Sequence, residues 1–415
     1  MAVTFNDIER AAELLDGQVI RTPILPAPKL SRATGADVYV KFENHQVTSS
    51  FKDRGALVKL SSLTDTQKHT GVIAMSAGNH AQAVAYHAQR LQIPSTIVMP
   101  ETTPFTKVEQ TRSYGATIIL GGETLDDCRV TVEQMISDHG LTRVHPYDDD
   151  LVIAGQGTVG LEMLTDQPDL DVIIGPIGGG GLMAGSAIAA KAMKPDIEMI
   201  GSEAGLYPSM YHALKGDAAH CGGQTLADGI AVKNVSDRTI AICRELLDDI
   251  VLVGESAIEQ AVDAYISLQK TSAEGAGAVP LAVLMNNHDR FRGRKVGLIL
   301  SGGNIDTRIL GSVLFRELER QQRIVNFRVR INDRPGVLGT IACMLGDAGA
   351  NILEVAHSRM FLDTPAKSAE LDFMVETRDA HHAQEIIAAI EAQGFEVHLL
   401  DAPGGREAIR SPVTR

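Results

Sequence analysis

Short β-rich runs alternate with helical patterns over residues 38–320, and this alternation constrains the fold more than any other feature of the sequence. The runs are apolar on both faces, which is typical of strands buried between two layers of helices. They lie at residues 95–99, 117–120, 171–174, 198–201, 250–253 and 295–300. The pattern predicts an α/β fold with mostly parallel sheets covered by helices, in which ligands bind at the carboxyl ends of the strands.

The pattern changes after residue 321, where the order of the predicted elements becomes βαββαβ. Strands are predicted at residues 324–330, 352–359, 369–376 and 395–400, and helices at residues 336–347 and 380–392. This order, in a segment of about 80 residues, is the ferredoxin-like arrangement. We expect it to form a separate domain over residues 324–401, followed by a flexible tail at residues 402–415.

Composition excludes several classes of function. The formal net charge of -14 argues against a surface for nucleic acid or for an anionic membrane. The four cysteines lie far apart, without CxxC pairs or zinc-ligand spacing, so neither disulfides nor a metal site are expected. The N-terminal segment is predicted to be an amphipathic helix rather than a signal peptide, which favours a cytoplasmic protein. The apolar stretch at residues 172–193 contains Pro176 and a glycine run near its start, which favours a buried strand, turn and helix over a membrane span.

Four consecutive glycines, at residues 178–181, lie between a predicted strand and a predicted helix. Glycines let several backbone N–H groups approach one phosphate, and the positive end of the helix dipole adds to the attraction. Neither the Gly-Lys-Ser/Thr sequence of a nucleoside-triphosphate loop nor the spacing GxGxxG is present. The run favours a monophosphate site without a metal over its alternative, a tight turn without a ligand.

Three further clusters lie where a predicted strand gives way to a helix. They are residues 49–56 around Lys52, residues 76–80 with the sequence Ser-Ala-Gly-Asn-His, and residues 301–304 with the sequence Ser-Gly-Gly-Asn. Counted along the chain, residues 49–56 are the first cluster, residues 76–80 the second, the glycine run the third and residues 301–304 the fourth. Small side chains and open N–H groups at residues 76–80 can hold a carboxylate. The hydroxyl of Ser301 can meet a ring nitrogen. Its position alone favours Lys52 as a solvated residue at the start of a helix, and only the other clusters favour a chemical role.

Together the four clusters resemble the fold-type II pyridoxal-phosphate enzymes of the serine/threonine dehydratase family, over essentially residues 15–320. The Ser-x-Lys signature with its Arg-Gly partner is present as Ser50, Lys52, Arg54 and Gly55. The resemblance implies a two-lobed catalytic domain over residues 1–320, with a small lobe at roughly 45–150 inserted in the large lobe.

The resemblance also implies roles for single residues. Lys52 would bind pyridoxal 5'-phosphate covalently and then act as the base on the α-proton of the substrate. Further cofactor contacts are implied for Phe51, Asn79, Gly178, Gly179, Gly180, Gly181, Leu182 and Ser301. Substrate contacts are implied for Ser76, Ala77, Gly78, Asn79 and His80, and Glu274 is a candidate for a further active-site residue.

The reaction implied is β-elimination of L-threonine to 2-oxobutanoate and ammonia, and of L-serine to pyruvate, with isoleucine biosynthesis and threonine breakdown both open as roles. A serine racemase or a hydroxyaspartate dehydratase of the same fold is the alternative. Ala77 counts against it, because racemases of this family tend to have a serine there that protonates the opposite face of the α-carbon. Ser209 stands where some relatives have the second acid of a divalent-metal site with Glu203, so no metal ligand is assigned. A catalytically silent amino-acid sensor is a third possibility, against which the intact Lys52 speaks.

Residues 332–338, with the sequence Asn-Asp-Arg-Pro-Gly-Val-Leu, are similar to the signature of ACT domains, which bind amino acids between domains. The open N–H groups at the start of a helix can take a ligand carboxylate. The candidate effector residues are Asp333, Gly336, Val337, Leu338 and Asn351. Allosteric control by an amino acid and a role in assembly alone both stay open, and a homodimer or homotetramer is expected.

Overall fold

The computed structural model describes residues 3–359 and 367–400. The predicted flexible tail at residues 402–415 and the predicted last residue of the second domain, at position 401, lie outside the described residues. The chain divides into two compact units, the first ending at Asp306 and the second beginning at Thr307. The helix that begins at Thr307 therefore groups with the second unit, whereas the sequence-based division places it in the first domain.

The first unit alternates strands and helices, as the sequence predicts. Its strands are β1 (Ile24–Pro26), β2 (Asp37–Phe42), β3 (Val72–Met75), β4 (Ser95–Met99), β5 (Thr117–Leu120), β6 (Thr142–Arg143), β7 (Val172–Pro176), β8 (Glu198–Ala204), β9 (Asp249–Val253) and β10 (Lys295–Leu300). Its helices are α1 (Phe5–Leu15), α2 (Pro28–Thr34), α3 (Lys52–Ser61), α4 (Asp65–Thr70), α5 (Asn79–Arg90), α6 (Phe105–Ser113), α7 (Leu125–His139), α8 (Asp150–Asp166), α9 (Gly181–Met193), α10 (Ser209–Lys215), α11 (Asp237–Leu246), α12 (Glu255–Ala264), α13 (Gly275–Asn286) and α14 (His288–Phe291).

These strands form a larger and a smaller sheet. The larger sheet has the order β1-β2-β10-β7-β8-β9, and its neighbours run parallel except for β1 and β2. The smaller sheet has the order β5-β4-β3-β6 and is parallel throughout. Two sheets built almost wholly from parallel strands confirm the predicted fold class. The central strands, such as β7, are buried because helices cover both faces, whereas the edge strands β1 and β5 are partly exposed.

Close helix packing fixes the position of α3, which carries Lys52. Helix α8 lies between α3 and α9, and all three are buried along most of their length. A Cβ on Gly155 of α8 would lie 2.7 Å from Cα of Gly55 in α3. The two backbones can approach this closely only without side chains at the crossing. A substitution at Gly155 would therefore displace α3 and the residues at its start.

After one leading helix, the second unit has the predicted βαββαβ order. It contains α15 (Thr307–Arg320), β11 (Ile324–Asn332), α16 (Val337–Asp347), β12 (Asn351–Ser358), β13 (Ser368–Glu376), α17 (Ala380–Ala392) and β14 (Glu396–Leu399). Its antiparallel sheet has the order β12-β13-β11-β14. Apolar residues from the sheet and from α16 and α17 form its core, including Phe327, Ile341, Phe373 and Ile386. The predicted ferredoxin-like arrangement is confirmed.

The apolar stretch at residues 172–193 forms β7, a turn and α9, as predicted. None of the helices in the described part of the chain has the length and the apolar character needed to cross a lipid bilayer.

Candidate active site

Lys52 is the first residue of α3 and follows a strained turn. Ser49 has φ +57°, in the left-handed region that side chains other than glycine rarely adopt. The turn is held from the opposite side of the site, because Phe51 N donates to Ser301 O (3.0 Å) and Gly303 N donates to Ser49 O (3.0 Å). These bonds bring the predicted first and fourth clusters together.

The side chain of Lys52 is partly buried. Its Nζ donates to Pro146 O at 2.8 Å. Burial lowers the pKa of Lys52 to about 8, against the opposing effect of the Glu274 carboxylate. A lysine with such a pKa is neutral in a much larger fraction near neutral pH than an exposed lysine, and a neutral amine can act as a nucleophile or a base. Sequence alone gave no sign of the contact with Pro146, because the partner is a backbone oxygen 94 residues away.

The glycine run lies beside Pro146, because the next residue, Tyr147, packs on it. A Cβ on Gly179 would overlap the ring of Tyr147, and one on Gly181 would lie 3.1 Å from Tyr147 Cβ. Gly180 caps α9 with φ +91°. The first N–H groups of α9 have no acceptor within the helix, and they lie with the positive end of its dipole. The third cluster is thus a helix start at which four consecutive residues, 178–181, have no side chains, followed by the buried Leu182. It is linked to Lys52 through Pro146 and Tyr147.

Asn79 and Glu274 form a polar pair. Asn79 is the first residue of α5, and its Nδ2 donates to Glu274 Oε1 at 2.7 Å. Glu274 is 4% exposed, and burial, with a contribution from Asp228, raises its pKa to about 8. A Cβ on Gly302 would touch this carboxyl group and lie 3.1 Å from Asn79 Nδ2. The second and fourth clusters and Glu274 therefore meet at one place.

The remaining residues of the second cluster form the turn that precedes α5. Gly78 N donates to Ser76 Oγ at 3.2 Å, and Ser76, Ala77 and Gly78 are half-buried. His80 is 3% exposed, and its Nε2 bonds to Val144 O at 2.9 Å. Burial lowers the pKa of His80 to about 3, with a further effect of Lys52. His80 is therefore neutral at physiological pH and packs against the small sheet, as expected of a structural histidine.

A buried ionic network lies next to the lysine turn, and only Arg54 of it is part of the predicted signature. Arg54 binds Glu43 through Nε (2.8 Å) and Nη2 (2.7 Å), and binds Glu162 through Nη1 (2.6 Å) and Nη2 (2.8 Å). Lys41 Nζ lies 2.5 Å from Glu162 Oε2. The side chains of Arg54, Glu43 and Lys41 are wholly buried. Burial alone would raise the pKa of Glu43, but Arg54 holds it at about 2.

These residues fit pyridoxal phosphate. The Oγ of Ser50 is buried and has no hydrogen-bond partner among the described residues, although it is two residues from Lys52. Buried polar atoms normally have a partner, so this atom has room for a ligand contact. The partly exposed amine of Lys52 suits an aldehyde. The glycine run at the start of α9 suits a phosphate, and the buried Ser301 suits a ring nitrogen.

Sequence comparison gives the family. The profile of the family described as "Pyridoxal-phosphate dependent enzyme" matches residues 15–302, and that of the ACT domain matches residues 325–395. The chain belongs to the pyridoxal-phosphate dependent enzymes.

Relatives of this pyridoxal-phosphate enzyme include lyases and racemases. The L-threonine ammonia-lyase of Thermotoga maritima is 40% identical over 96% of this chain and 100% of its own length. The structure of processed threonine deaminase isoform 2 from Solanum lycopersicum has a TM-score of 0.70 and 35% identity, and covers 74% of this chain and 90% of that one. Maize serine racemase has a TM-score of 0.72 and 32% identity, and covers 78% and 100% of the two chains.

The ACT domain of this pyridoxal-phosphate enzyme holds its candidate effector residues at two ends of one sheet. Asp333 follows β11 and pairs with Arg359 Nε at 3.0 Å. Gly336, with φ +92°, caps α16, whose first residues are Val337 and Leu338. Asn351 lies at the other end of the sheet. It pairs with Glu376 of β13, and Glu376 in turn pairs with Ile324, the first residue of β11. At about 3.4 Å per residue, nine steps along β11 separate the two ends by roughly 30 Å.

The candidate metal position holds a structural carboxylate. Glu203 accepts bonds from Met210 N (2.8 Å) and Tyr211 N (2.9 Å), at the start of α10, and burial raises its pKa to about 7. Ser209 Oγ bonds to Val232 O. Over residues 3–359 and 367–400, no group of three or more His, Cys, Asp or Glu side chains is placed to hold a metal ion.

Proposed function

We propose that this pyridoxal-phosphate enzyme is an L-threonine ammonia-lyase, which converts L-threonine to 2-oxobutanoate and ammonia and acts on L-serine more slowly. The water lost from the β-carbon in the first stage is taken up again when the nitrogen leaves, so the net products are one oxo acid and one ammonia. The observation that carries the proposal is the match to an L-threonine ammonia-lyase over 96% of the chain, through both the catalytic and the ACT regions.

The proposed roles follow the geometry. Pyridoxal phosphate, when bound, supplies the electron sink for breaking the Cα–H bond. Lys52, whose pKa is lowered to about 8, would hold the cofactor through Nζ. Once the substrate amine takes its place on the cofactor, the released Nζ would be free to accept the α-proton. The N–H groups at the start of α9 bind the phosphate, and Ser301 offers a neutral hydroxyl to the ring nitrogen. The turn at residues 76–80 binds the substrate carboxylate through open N–H groups at the start of α5.

Ala77 favours elimination over racemisation. A racemase must return a proton to the face of the α-carbon opposite the lysine, and a methyl group cannot donate one. His80 cannot take that role either, because its pKa of about 3 keeps it unprotonated and its Nε2 is bound to Val144 O. The similarity to maize serine racemase is therefore a similarity of fold and cofactor chemistry. A silent sensor is disfavoured because Lys52, Asn79 and Ser301, to which the proposed chemistry assigns roles, are all present and are linked through short contacts at one site.

We further propose that the ACT domain binds an amino acid that regulates the enzyme. Asn351 lines a groove with Arg323, Glu376 and Arg378, whose mixed charges suit a zwitterion. The helix start at Gly336 suits a carboxylate. A single amino acid cannot span the roughly 30 Å between Asp333 and Asn351 of one copy. Contact with both ends thus requires two copies of the domain, which supports a homodimer or homotetramer.

Four free cysteines, at positions 128, 221, 243 and 343, are typical of a reducing compartment and support the proposed cytoplasmic location.

Lys52→Ala and Lys59→Ala provide the test. Both lysines are in α3, but Lys59 forms an ion pair with Asp149 near the other end of the helix. We expect Lys52→Ala to lose turnover of L-threonine by several orders of magnitude, and Lys59→Ala to retain it within a few-fold. Borohydride reduction of the wild-type holoenzyme followed by peptide mapping should place the cofactor on Lys52. A label on another lysine, or an active Lys52→Ala variant, would overturn the assignment.

A further inference from the structure

Asn304 bridges two parts of the active site through a single nitrogen atom. Its Nδ2 donates to Thr48 O at 2.8 Å and to Asn79 Oδ1 at 2.8 Å. A side-chain amide has two N–H donors, so both are committed. Thr48 belongs to the turn that carries Lys52, and Asn79 begins α5 in the other sheet's layer. One amide therefore ties together the two segments that present the lysine and the asparagine.

The first of these bonds supports a strained turn. The backbone N–H and the hydroxyl of Thr48 donate to the buried Asp53 carboxylate, and its carbonyl accepts from Asn304. Ser49, the next residue, is in the left-handed region. Such a conformation is strained and persists only where its surroundings hold it. Without Asn304, the turn loses one of the bonds that hold it at Thr48.

The second bond fixes which way the Asn79 amide points. Oδ1 of Asn79 accepts from Asn304, and Nδ2 of Asn79 donates to Glu274 Oε1 at 2.7 Å. A flipped Asn79 would face its NH₂ group to the NH₂ group of Asn304, and its oxygen to an oxygen of Glu274. In this orientation one N–H of Asn79 Nδ2 binds Glu274, and the second N–H makes no bond to either Glu274 or Asn304. Asn304 thus selects the orientation in which Asn79 is a donor at that position.

We propose that Asn304 is a positioning residue of the active site, which holds the Lys52 turn and keeps Asn79 oriented as a hydrogen-bond donor toward the cofactor. The inference rests on the proposed function only in that the site binds pyridoxal phosphate. It assigns a role to Asn304 that its place in the Ser-Gly-Gly-Asn segment does not reveal.

Asn304→Asp is the direct test, since it keeps the shape of the side chain and replaces the donor by an oxygen. The charged oxygen also opposes Asn79 Oδ1 and favours the flipped amide. Asn304→Ala removes the donor without that repulsion. Asn287→Asp is the matched control, because Asn287 Nδ2 also donates to a backbone oxygen, Val283 O at 2.8 Å, at the far end of α13.

Titration of the apoenzymes with pyridoxal phosphate, without substrate, gives affinity and the visible absorption band. We expect affinity to fall roughly 5- to 30-fold in Asn304→Asp, which corresponds to one or two lost bonds, and less in Asn304→Ala. The absorption band should shift in both variants and stay unchanged in Asn287→Asp. Where turnover is measurable, kcat should fall more than KM rises.

The affinity for pyridoxal phosphate should be highest in the wild type, lower in Asn304→Ala and lowest in Asn304→Asp. The unfolding temperatures of the three apoenzymes should be nearly equal. Wild-type affinity and an unshifted band in both Asn304 variants would overturn the inference. An equal loss in Asn287→Asp would overturn it too, because the effect would then be structural. Failure of wild-type holoenzyme to convert L-threonine would overturn the proposed function and would not affect this result.

Discussion

Arg54→Met is a stringent test of the buried network next to Lys52. Arg54 neutralises two carboxylates in the interior, Glu43 and Glu162. After the substitution Glu162 still has Lys41 at 2.5 Å. Glu43 loses its direct ion pair and keeps only the more distant charge of Lys41, which is shared with Glu162, and hydrogen bonds from Thr22 and Gln46. Removing one partner of a buried pair typically costs about 3–5 kcal/mol. We expect a loss of that size in the free energy of unfolding of the catalytic unit.

Arg21→Met is the matched control. Arg21 lies 2.6 Å from Asp166, as close as Arg54 lies to Glu162, but its side chain is 57% exposed. An exposed pair is worth about 0–1 kcal/mol because water screens it. The chain has no tryptophan, so urea unfolding is followed by far-ultraviolet circular dichroism. Arg54→Lys, which keeps the charge and loses the forked geometry, should give an intermediate loss and covers the case in which Arg54→Met does not fold.

The pH dependence separates charge from packing. In the wild type the pKa of Glu43 is held at about 2, below its ordinary 4.5. The stability that the ionised Glu43 gains from Arg54 is therefore present above pH 4.5 and is lost as the pH falls toward 2. Arg54 is the largest influence that lowers the pKa of Glu43, so without it burial moves this pKa upward, and the variant loses less stability than the wild type as the pH falls. The difference between the two proteins should therefore shrink between pH 7 and pH 4. A loss below 1 kcal/mol at pH 7, or a difference that does not change with pH, would refute the reasoning.

Three further predictions follow from single positions. Gly180→Ala should weaken pyridoxal-phosphate binding and lower stability by more than about 1 kcal/mol, because its Cβ would lie 2.9 Å from Thr239 Cβ at φ +91°; Gly216→Ala, with φ +77° and open space, should cost only the strain. Ala77→Ser should add slow formation of D-serine from L-serine, detected by chiral chromatography; its absence would show that a hydroxyl there is not sufficient. A chain that ends at Gln321 should keep turnover and lose any shift of the L-threonine curve by isoleucine or valine; a retained shift would place the effector site outside the ACT domain.

Much of the fold could be predicted because strand and helix signals are local. Apolar runs marked the buried strands, and glycine, serine and asparagine marked the points where strands give way to helices. Small differences lie at the ends: β7 extends to Pro176 and β11 to Asn332, two residues beyond their predicted ends. Strand ends depend on which neighbours pair with them, and the sequence of one strand does not contain that information.

The partners of site residues could not be predicted, because they are set by tertiary packing. Arg54 finds Glu162 at a distance of 108 residues along the chain, and Asn304 finds Thr48 at 256. The ACT signature grouped Asp333 and Asn351 by resemblance, yet the sheet register places them at opposite ends of one domain. The roles assigned to single residues of the cofactor and effector sites stay predictions, and the variants above test them.

Incubation of the purified protein with pyridoxal phosphate and L-threonine, with every product quantified, tests the central claim most directly. The account predicts 2-oxobutanoate and ammonia in a one-to-one ratio, equal to the L-threonine consumed, with no inverted threonine in the remainder. Formation of an inverted amino acid at a rate comparable to that of the oxo acid, or no consumption of L-threonine by protein that has bound the cofactor, would contradict it.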